Sequence, residues 1–362
     1  MTQFIIKALL VVYLLVSITI TFSVYVPPQD ANFVSAFSLL LPLNILFGFL
    51  FLFIALFNLK DIFYKTTTAI IILTMLVNIY QVFGAGLGSK NQFDEESRFS
   101  VLSYNISMLH TRGDFSREYD NAIYNSTAAS IKDYLLTHTA DIICLQELWD
   151  DDSSSLFNIS QSFKDNGYDH YILAEPKYIP WRKRGLGIFS KYPIINSGKI
   201  FLNPNNFNGA AYADIAIQDD TIRIINVHLQ SMQIDMNRYR EKPSRIPLVF
   251  YDLVRTVSQT QTIRFKQLQQ MLTYAENSPY PVVIGGDFNE PRYSYLYRYI
   301  NANFQNAFQQ THRLPSPTFQ YKFIKVKIDH QFASDSLDIV SSKVHNQIDF
   351  TYHLPLEAEY HF

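Results

Sequence analysis

Residues 1–85 carry five charged side chains: Lys7, Asp30, Lys60, Asp61 and Lys65. A water-facing surface cannot be built from so few charges. Three apolar runs account for the shortage, roughly residues 4–26, 37–59 and 67–83. A helix that crosses a bilayer needs about 20 mainly apolar residues. The first two runs meet that length, and the third lies near its lower limit. A cleaved signal peptide is a poor match to the first run, which exceeds the ~7–15-residue apolar core of such a signal. No small-x-small cleavage site precedes Pro27-Pro28, and a second apolar run follows directly. A hairpin of soluble helices is the competing reading, and hydropathy argues against it. Residues 1–84 are therefore expected to form a membrane anchor of about three helices.

The loops set an expected orientation. The first loop has Asp30 and no lysine or arginine, whereas the second has Lys60 and Lys65. Positive loops stay in the cytoplasm. With three spans, everything after Gly84 lies on the far side; with only two, the remaining domain would be cytoplasmic. Residues 85–98 (AGLGSKNQFDEESR) read as a flexible linker, rich in glycine and charge. Residues 99–362 then form the remaining domain.

Removing three lysines and two aspartates from totals of 30 basic and 32 acidic residues leaves 27 and 30 beyond the anchor. A domain that grips nucleic acid mainly by neutralising phosphates is usually basic, and this one is near neutral. One cysteine, Cys144, permits neither an internal disulfide nor a cysteine-rich metal site.

Within 99–362, short apolar runs alternate with amphipathic segments. Strands are expected at 99–106 (FSVLSYNI), 141–145 (DIICL), 187–189, 222–227 (IRIINV), 281–285 (PVVIG) and 328–333. Helical spacing appears over 121–137 and 262–275. Many strands with few helices indicate an α+β fold, sheets flanked by helices. Asn105, Glu147, His228, Asp287, Asn289, Asp329 and His353 each sit at or just past the end of a strand-like run. Their side chains can converge at one rim of a rigid scaffold, where binding and catalytic groups concentrate.

The segment 285–291 reads GGDFNEP. On an extended chain Asp287 and Asn289 point to the same side. A carboxylate beside an amide suits activation of a water against a phosphate. The competing reading is an Asx-turn, which Asp and Asn make in many loops.

GDFN after an apolar strand resembles the hallmark of the endonuclease/exonuclease/phosphatase superfamily, which includes DNase I, exonuclease III and neutral sphingomyelinases. Other segments resemble its motifs in the family's order: SYN at 103–105, LQE at 145–147, GLGIFSKYPI at 185–194, NVHLQS at 226–231, IDHQFAS at 328–334 and HLP at 353–355. The resemblance covers residues 99–362. It implies a four-layered αββα sandwich and a metal-dependent hydrolase of phosphate esters. It implies that Glu147 is the main ligand of Mg2+ (or Mn2+), supported by Asn105. Asp287 would orient or deprotonate water, and Asn289 would hold the phosphoryl group. His228 and His353 would contact phosphate oxygens, with Asp329 pairing to His353. The substrate would be a lipid headgroup, a small phosphodiester or nucleic acid, and the bilayer would be a partner through the N-terminal helices. A bacterial plasma membrane, with the catalytic domain extracytoplasmic, fits this set.

One departure stands out. The family's Ser-Asp-His is Thr351-Tyr352-His353 here. A phenol is neutral at pH 7 and a poor magnesium ligand, so Glu357 is a candidate replacement. The same departure motivates a second reading, a non-catalytic domain that binds phosphorylated ligands. The remaining histidines and buried Cys144 are expected to be structural, and Trp181 to Arg184 a solvated basic loop.

Overall fold

Four helices, three of them apolar, open the computed structural model, which describes all residues except 1, 58, 85–96, 110–121, 176–181, 205, 233–245, 313–315, 323 and 349. They are α1 (Thr2–Ser23), α2 (Pro28–Ala36), α3 (Leu41–Leu56) and α4 (Ile62–Phe83). Pro28 suits the first turn of α2, where a missing N–H costs nothing. The Asp61 side chain caps α4 by accepting from the Phe63 N–H. That cap starts α4 five residues before the expected run, so its 22 residues are long enough to cross a membrane. Residues 3–23 and 28–56 meet the same criterion.

Polarity in these helices is inverted relative to a soluble bundle. Phe4, Leu15, Leu46, Phe53 and Leu73 are exposed, whereas Ser17, Thr21, Asn44, Asn78 and Gln81 are buried. Asn44 Nδ2 donates to Ser17 Oγ at 3.0 Å, and Thr21 Oγ1 to Asn78 Oδ1 at 2.9 Å. Polar glue inside and apolar side chains outside match a bundle solvated by lipid tails.

The rest of the chain builds two six-stranded mixed sheets. In chain order the elements are β1 (Arg98–Asn105), α5 (Ala122–Thr137), β2 (Ile142–Asp151), α6 (Ile159–Lys164), β3 (His170–Ala174), β4 (Arg182–Ser190), β5 (Ile194–Leu202), β6 (Gly209–Ile217), β7 (Asp220–His228), α7 (Ile246–Glu276), β8 (Val282–Asp287), α8 (Tyr295–Ile300), β9 (Gln305–Asn306), α9 (Ala307–Thr311), β10 (Phe319–Tyr321), β11 (Ile324–Val326), β12 (Asp329–Ala333), β13 (Asp338–Val344) and β14 (Leu356–His361). One sheet runs β13-β14-β1-β2-β4-β3, the other β5-β6-β7-β8-β12-β9.

Strand alternation sets the layers. Val101, Cys144, Ile188, Ala213, Val283 and Ala333 share one core between the sheets. Leu102, Tyr104, Ile143 and Phe189 face outward and pack with Ala128, Ile131 and Leu135 of α5 and Phe163 of α6. On the outer face of the second sheet, Tyr212 meets Tyr274 near the end of α7, with ring centroids 5.9 Å apart. These are the four layers of an αββα sandwich.

Two crossovers are parallel. β1 pairs with β2 through α5, and β7 with β8 through α7. All four strands therefore end at the same pole of their sheets, where open α/β sheets place ligands.

Asp214 and Arg223 face each other across β6 and β7. Arg223 Nε and Nη2 donate to the two Asp214 oxygens at 2.6 and 2.8 Å, and both side chains are buried. Removing one partner strands a buried charge, so Asp214→Ala is expected to cost about 3–5 kcal/mol. The thermal midpoint of the full chain in detergent measures it; an unchanged midpoint would show that the pair is solvated.

By internal contacts the chain forms two compact units that do not follow chain order. One comprises Met1–Ala85, Met232–Phe265 and Pro291–Tyr299; the other comprises Gly86–Ser231, Lys266–Glu290 and Ile300–Phe362. The linker expected at 85–98 lies almost wholly outside the described residues. Residues 233–245, just before α7, also lie outside the described residues.

Candidate active site

Seven side chains from six places in the sequence meet at the pole of the two sheets. Asn105 closes β1, and its Nδ2 donates to Asp287 Oδ2 at 3.0 Å and to Glu147 Oε1 at 3.4 Å. Asp287 closes β8, directly opposite His228 on β7 and Asp329 on β12. His228 Nε2 lies 3.6 Å from Asp287 Oδ2 and 3.8 Å from Glu147 Oε1. His353 Nε2 lies 3.7 Å from the same Asp287 oxygen. Asp287 Oδ2 is thus the common centre.

Backbone geometry aims two of these groups. Glu147 has φ 49°, inside a register break between Leu145 and Leu148 on β2. A non-glycine residue in the left-handed region is sparsely populated, and such strain concentrates at functional sites. The turn leaves the Glu147 side chain 23% exposed while its neighbours His228 and Asp287 are 3% and 2% exposed. Asn289 has φ 51°. The chain therefore leaves β8 in a turn, and the extended geometry expected for 287–289 is not what brings these residues together. Asn289 N–H donates to Asp287 Oδ1 at 2.9 Å, an Asx-turn. The turn and the site are the same feature. Asn289 Nδ2 then donates to Leu229 O at 3.1 Å.

Each histidine has a fixed tautomer or charge. His228 Nδ1–H donates to Phe207 O at 3.2 Å, which turns Nε2 toward the carboxylates. His353 Nδ1–H donates to Asp329 at 3.0 and 3.1 Å. Burial lowers the His353 pKa, but the charges of Asp329 and Asp287 and the Asp329 hydrogen bond outweigh it. The ring is pushed up to about 9 and is protonated at neutral pH. Burial and the Asp329 charge raise the Asp287 carboxyl above its ordinary value, against the pull of His353, His228 and the Asn289 N–H.

Several positioning residues were not singled out by sequence reasoning. Thr318 Oγ1 accepts from Asp329 N–H at 2.9 Å and from Ile328 N–H at 3.1 Å, fixing the start of β12. Gln146 Nε2 donates to Asn226 Oδ1 at 2.7 Å, and Asn226 Nδ2 donates to Leu145 O and Gly187 O. This buried amide pair ties the two sheets beneath the site. Both residues stand inside the LQE and NVH segments, so their motif position was the available signal.

The Tyr352 departure has a structural answer. Its ring packs edge-on against Tyr321 at 5.2 Å, and its carbonyl accepts from Gln320 N–H at 2.8 Å. Thr351 Oγ1 accepts from His353 N–H at 3.2 Å. Glu357, the candidate replacement, is committed elsewhere. Its Oε2 accepts from His345 Nε2 at 3.0 Å and lies 3.7 Å from His138 Nε2. His138 Nδ1 accepts from Ala140 N–H at 3.1 Å, so its neutral ring carries the proton on Nε2 and turns it to Glu357. These three residues are partners of one another, and their ligand atoms also lie within 4.8 Å of one another, close enough to hold a metal ion. His330 also points away from the site, its Nε2–H donating to Glu290 O at 2.9 Å. The expected basic loop is strand in its described residues: Arg182, Lys183 and Arg184 all lie on β4, paired with β2. Lys183 pairs with Asp150 and Asp152, and Arg184 sits 4.3 Å over the Trp149 ring.

Among the described residues, Asp287, Asp329 and His353 form a cluster whose ligand atoms lie within 4.8 Å of one another, close enough to hold a metal ion. Glu147 and Asp287 add the hard oxygen donors that Mg2+ or Mn2+ prefers. In this conformer Asn105 turns Nδ2 to both carboxylates, while its Oδ1 accepts from Ser107 N–H at 3.0 Å.

The family model described as Endonuclease/Exonuclease/phosphatase family matches residues 102–353. An endonuclease/exonuclease/phosphatase from Beutenbergia cavernae is 14% identical with a TM-score of 0.50, the match covering 74% of this chain and 72% of that one. Sphingomyelinase C from Streptomyces griseocarneus is 16% identical with a TM-score of 0.51, covering 72% and 99%. A humanized D. rerio TDP2 is 16% identical with a TM-score of 0.51, covering 74% and 100%. At these identities the likeness shows a shared fold. No curated protein sequence matches the chain. The matched span holds all seven residues of the site and reaches from β1 to His353, and on that ground the chain belongs to the endonuclease/exonuclease/phosphatase family.

Proposed function

We propose that this protein is a membrane-anchored, metal-dependent hydrolase of phosphate esters that works by direct attack of water. The observation that carries the reading is the convergence of Asn105, Glu147, His228, Asp329 and His353 around the buried Asp287 carboxylate. The attacking water loses its proton to Asp287, whose raised pKa makes it a stronger base than an ordinary carboxylate. The water oxygen bonds to phosphorus as the bond to the leaving oxygen breaks. His353, protonated through Asp329, donates from Nε2 to a phosphoryl oxygen. His228, whose Nε2 is turned toward the carboxylates, and Asn289, set beside Asp287 by the Asx-turn, orient the phosphoryl group. Glu147, with Asn105 in support, would hold Mg2+ or Mn2+, which supplies Lewis-acid charge to the phosphoryl and leaving oxygens.

The bilayer is the partner of α1 to α4. The Lys7 side chain pairs with Asp61, so the start of α1 and the start of α4 share one end of the bundle. Lys7, Lys60 and Lys65 gather at that end, which the positive-inside rule assigns to the cytoplasm. Gly84 then emerges on the opposite side.

Full-length protein is assayed on bis-p-nitrophenyl phosphate, p-nitrophenyl phosphate, sphingomyelin and plasmid DNA, with Mg2+, Mn2+ or chelator. Metal-dependent turnover lost in Glu147→Ala and His228→Ala is the expected result. A folded protein with no turnover on any of them would favour the second reading, a non-catalytic phosphate-binding domain, for which the Tyr352 substitution argues.

The pH profile is a further check. A protonated His353 is required, so activity is expected to fall as pH rises through about 9. In Asp329→Asn the fall moves to lower pH, because the charge and hydrogen bond that hold the proton are gone. The same pair stabilises the fold. Its contribution is full below the unfolded value near 6.5 and is lost as pH rises through about 9. An alkaline limb unmoved by Asp329→Asn would exclude His353 as the titrating acid.

A further inference from the structure

The catalytic loop does not return to solvent after GGDFNEP. At Glu290 it is still part of the sheet framework, its carbonyl held by His330 Nε2 on β12 at 2.9 Å. Two residues later it belongs to the unit that holds the apolar helices. Arg292 Nη1 donates to Phe83 O at 3.3 Å and Gly84 O at 3.2 Å, the last carbonyls of α4. A cation on helix C-terminal carbonyls satisfies orphan acceptors and meets the negative end of the dipole. The contact is close, since a Cβ on Gly84 would lie 2.2 Å from the Arg292 guanidinium. Tyr293 packs with Ile20, Val24, Leu41 and Val82 from α1, α3 and α4. Arg298 stacks 4.1 Å over Tyr25, just past the end of α1, and Thr262 Oγ1 donates to Pro28 O at 3.3 Å. These contacts all fall at one end of the apolar bundle, where α1 and α4 finish and α2 starts.

Chain length then bounds the site. Arg292 is three Cα steps from Asn289, and a fully extended chain covers at most about 3.6 Å per residue. The Asn289 Cα therefore stays within ~11 Å of the Arg292 Cα, whatever the arrangement of the two units. The polar layer of a bilayer is itself ~5–8 Å thick beyond the hydrocarbon on each side. A catalytic loop tethered that closely to the end of a span works at headgroup depth.

We infer that Arg292 and Tyr293 latch the catalytic loop to the end of α4, and that the substrate is a phosphoester borne on a membrane lipid, presented from the leaflet where α4 ends. The inference rests on the phosphoesterase reading above. Water attacks the lipid phosphorus, the bond to one ester oxygen breaks, Asp287 takes the water proton, and the leaving oxygen takes up a proton from solvent. Arg292 is a positioning residue, acting through the loop.

The test uses the full chain in vesicles, with wild type, Arg292→Ala and Arg292→Lys compared on two substrates. One is soluble bis-p-nitrophenyl phosphate; the other is a phosphodiester lipid, sphingomyelin or phosphatidylcholine, at varied mole fraction. Wild type is expected to cleave the lipid at a rate that follows its mole fraction in the membrane and not its bulk concentration. Arg292→Ala is expected to lose tenfold or more on the lipid while staying within twofold on the soluble diester, with partial recovery in Arg292→Lys. The soluble assay reports whether the variant is folded. Equal losses on both substrates, or no loss on either, would overturn the latch. Cleavage of the soluble diester or of plasmid DNA without lipid cleavage would overturn the substrate class alone, whereas no metal-dependent turnover on anything would remove the enzyme reading beneath it.

Discussion

Asp287→Asn is expected to lower turnover by about 10²–10⁴-fold, the range for removing a positioned general base. Asparagine keeps the shape and can still accept from the Asn289 N–H, so the Asx-turn survives. It cannot take a proton from water, and it removes one of the three carboxylate charges, those of Asp329, Asp287 and Glu147, that hold His353 protonated. Asp329 stays in place at 3.0 Å, so His353 keeps its principal partner. The loss should therefore appear in kcat across the working pH range and not as a simple shift of the profile. Stability should move the other way. Burial and Asp329 raise the Asp287 pKa, which means the fold disfavours its charged form. Asp287→Asn relieves that cost, which offsets the loss of the Asn105 Nδ2 hydrogen bond to Oδ2, and its thermal midpoint is expected to be no lower than that of wild type. Full activity in the variant would remove Asp287 from the mechanism. Lost activity with a lowered midpoint would assign it a structural role instead.

Gly286→Ala carries the largest expected effect on folding. Gly286 has φ +152°, and a Cβ there would lie 1.9 Å from Val227 O and 2.8 Å from Val227 C. Those atoms are backbone of the neighbouring strand, so no rotamer change relieves the clash. β7 and β8 would have to part at the pair next to His228 and Asp287. Overpacking costs about 1–3 kcal/mol, and a strained φ adds about 1–3 kcal/mol. A loss of about 3 kcal/mol or more is expected, with activity falling as the His228–Asp287 spacing of 3.6 Å is disturbed. Gly285→Ala is the control. Its Cβ would meet Gln331 Cγ at 3.5 Å and Ser103 Cβ at 3.7 Å, ordinary contacts. That variant is expected to stay within about 1 kcal/mol of wild type. Equal midpoints for the two variants would show that the strands separate at little cost.

Legibility in the sequence followed the strength of local patterning. The apolar helices were readable because a bilayer imposes a length and a composition on single segments. Strands β2, β7 and β8 were readable because buried strands near a sheet centre carry runs of Val, Ile and Leu, such as IIC, IRIINV and VVI. Strands β5 and β6 were not. The latter, GAAYADIAI, is rich in Gly and Ala, which have weak strand preference and fit only because neighbouring strands cover them. The helix expected at 262–275 is the end of the 31-residue α7, whose earlier turns lie in a segment with no clean apolar period.

For the site, sequence by itself determined which side chains stand at strand ends. That follows from residue order and the period of a strand, and it holds for Asn105, His228, Asp287 and Asp329. It did not determine their distances, the left-handed turns that aim Glu147 and Asn289, or which glycine of the pair is indispensable. It also left Glu357 open as a replacement ligand, until His345 was found beside it. Those outcomes depend on pairings between residues up to 182 positions apart, such as Asn105 with Asp287. Local sequence encodes propensity and polarity, whereas a hydrogen bond between distant segments exists only once both sheets have packed. The latch of Arg292 on the end of α4 is of this second kind: nothing in GGDFNEPR marks that arginine, and only the packed helices supply the two carbonyls it binds.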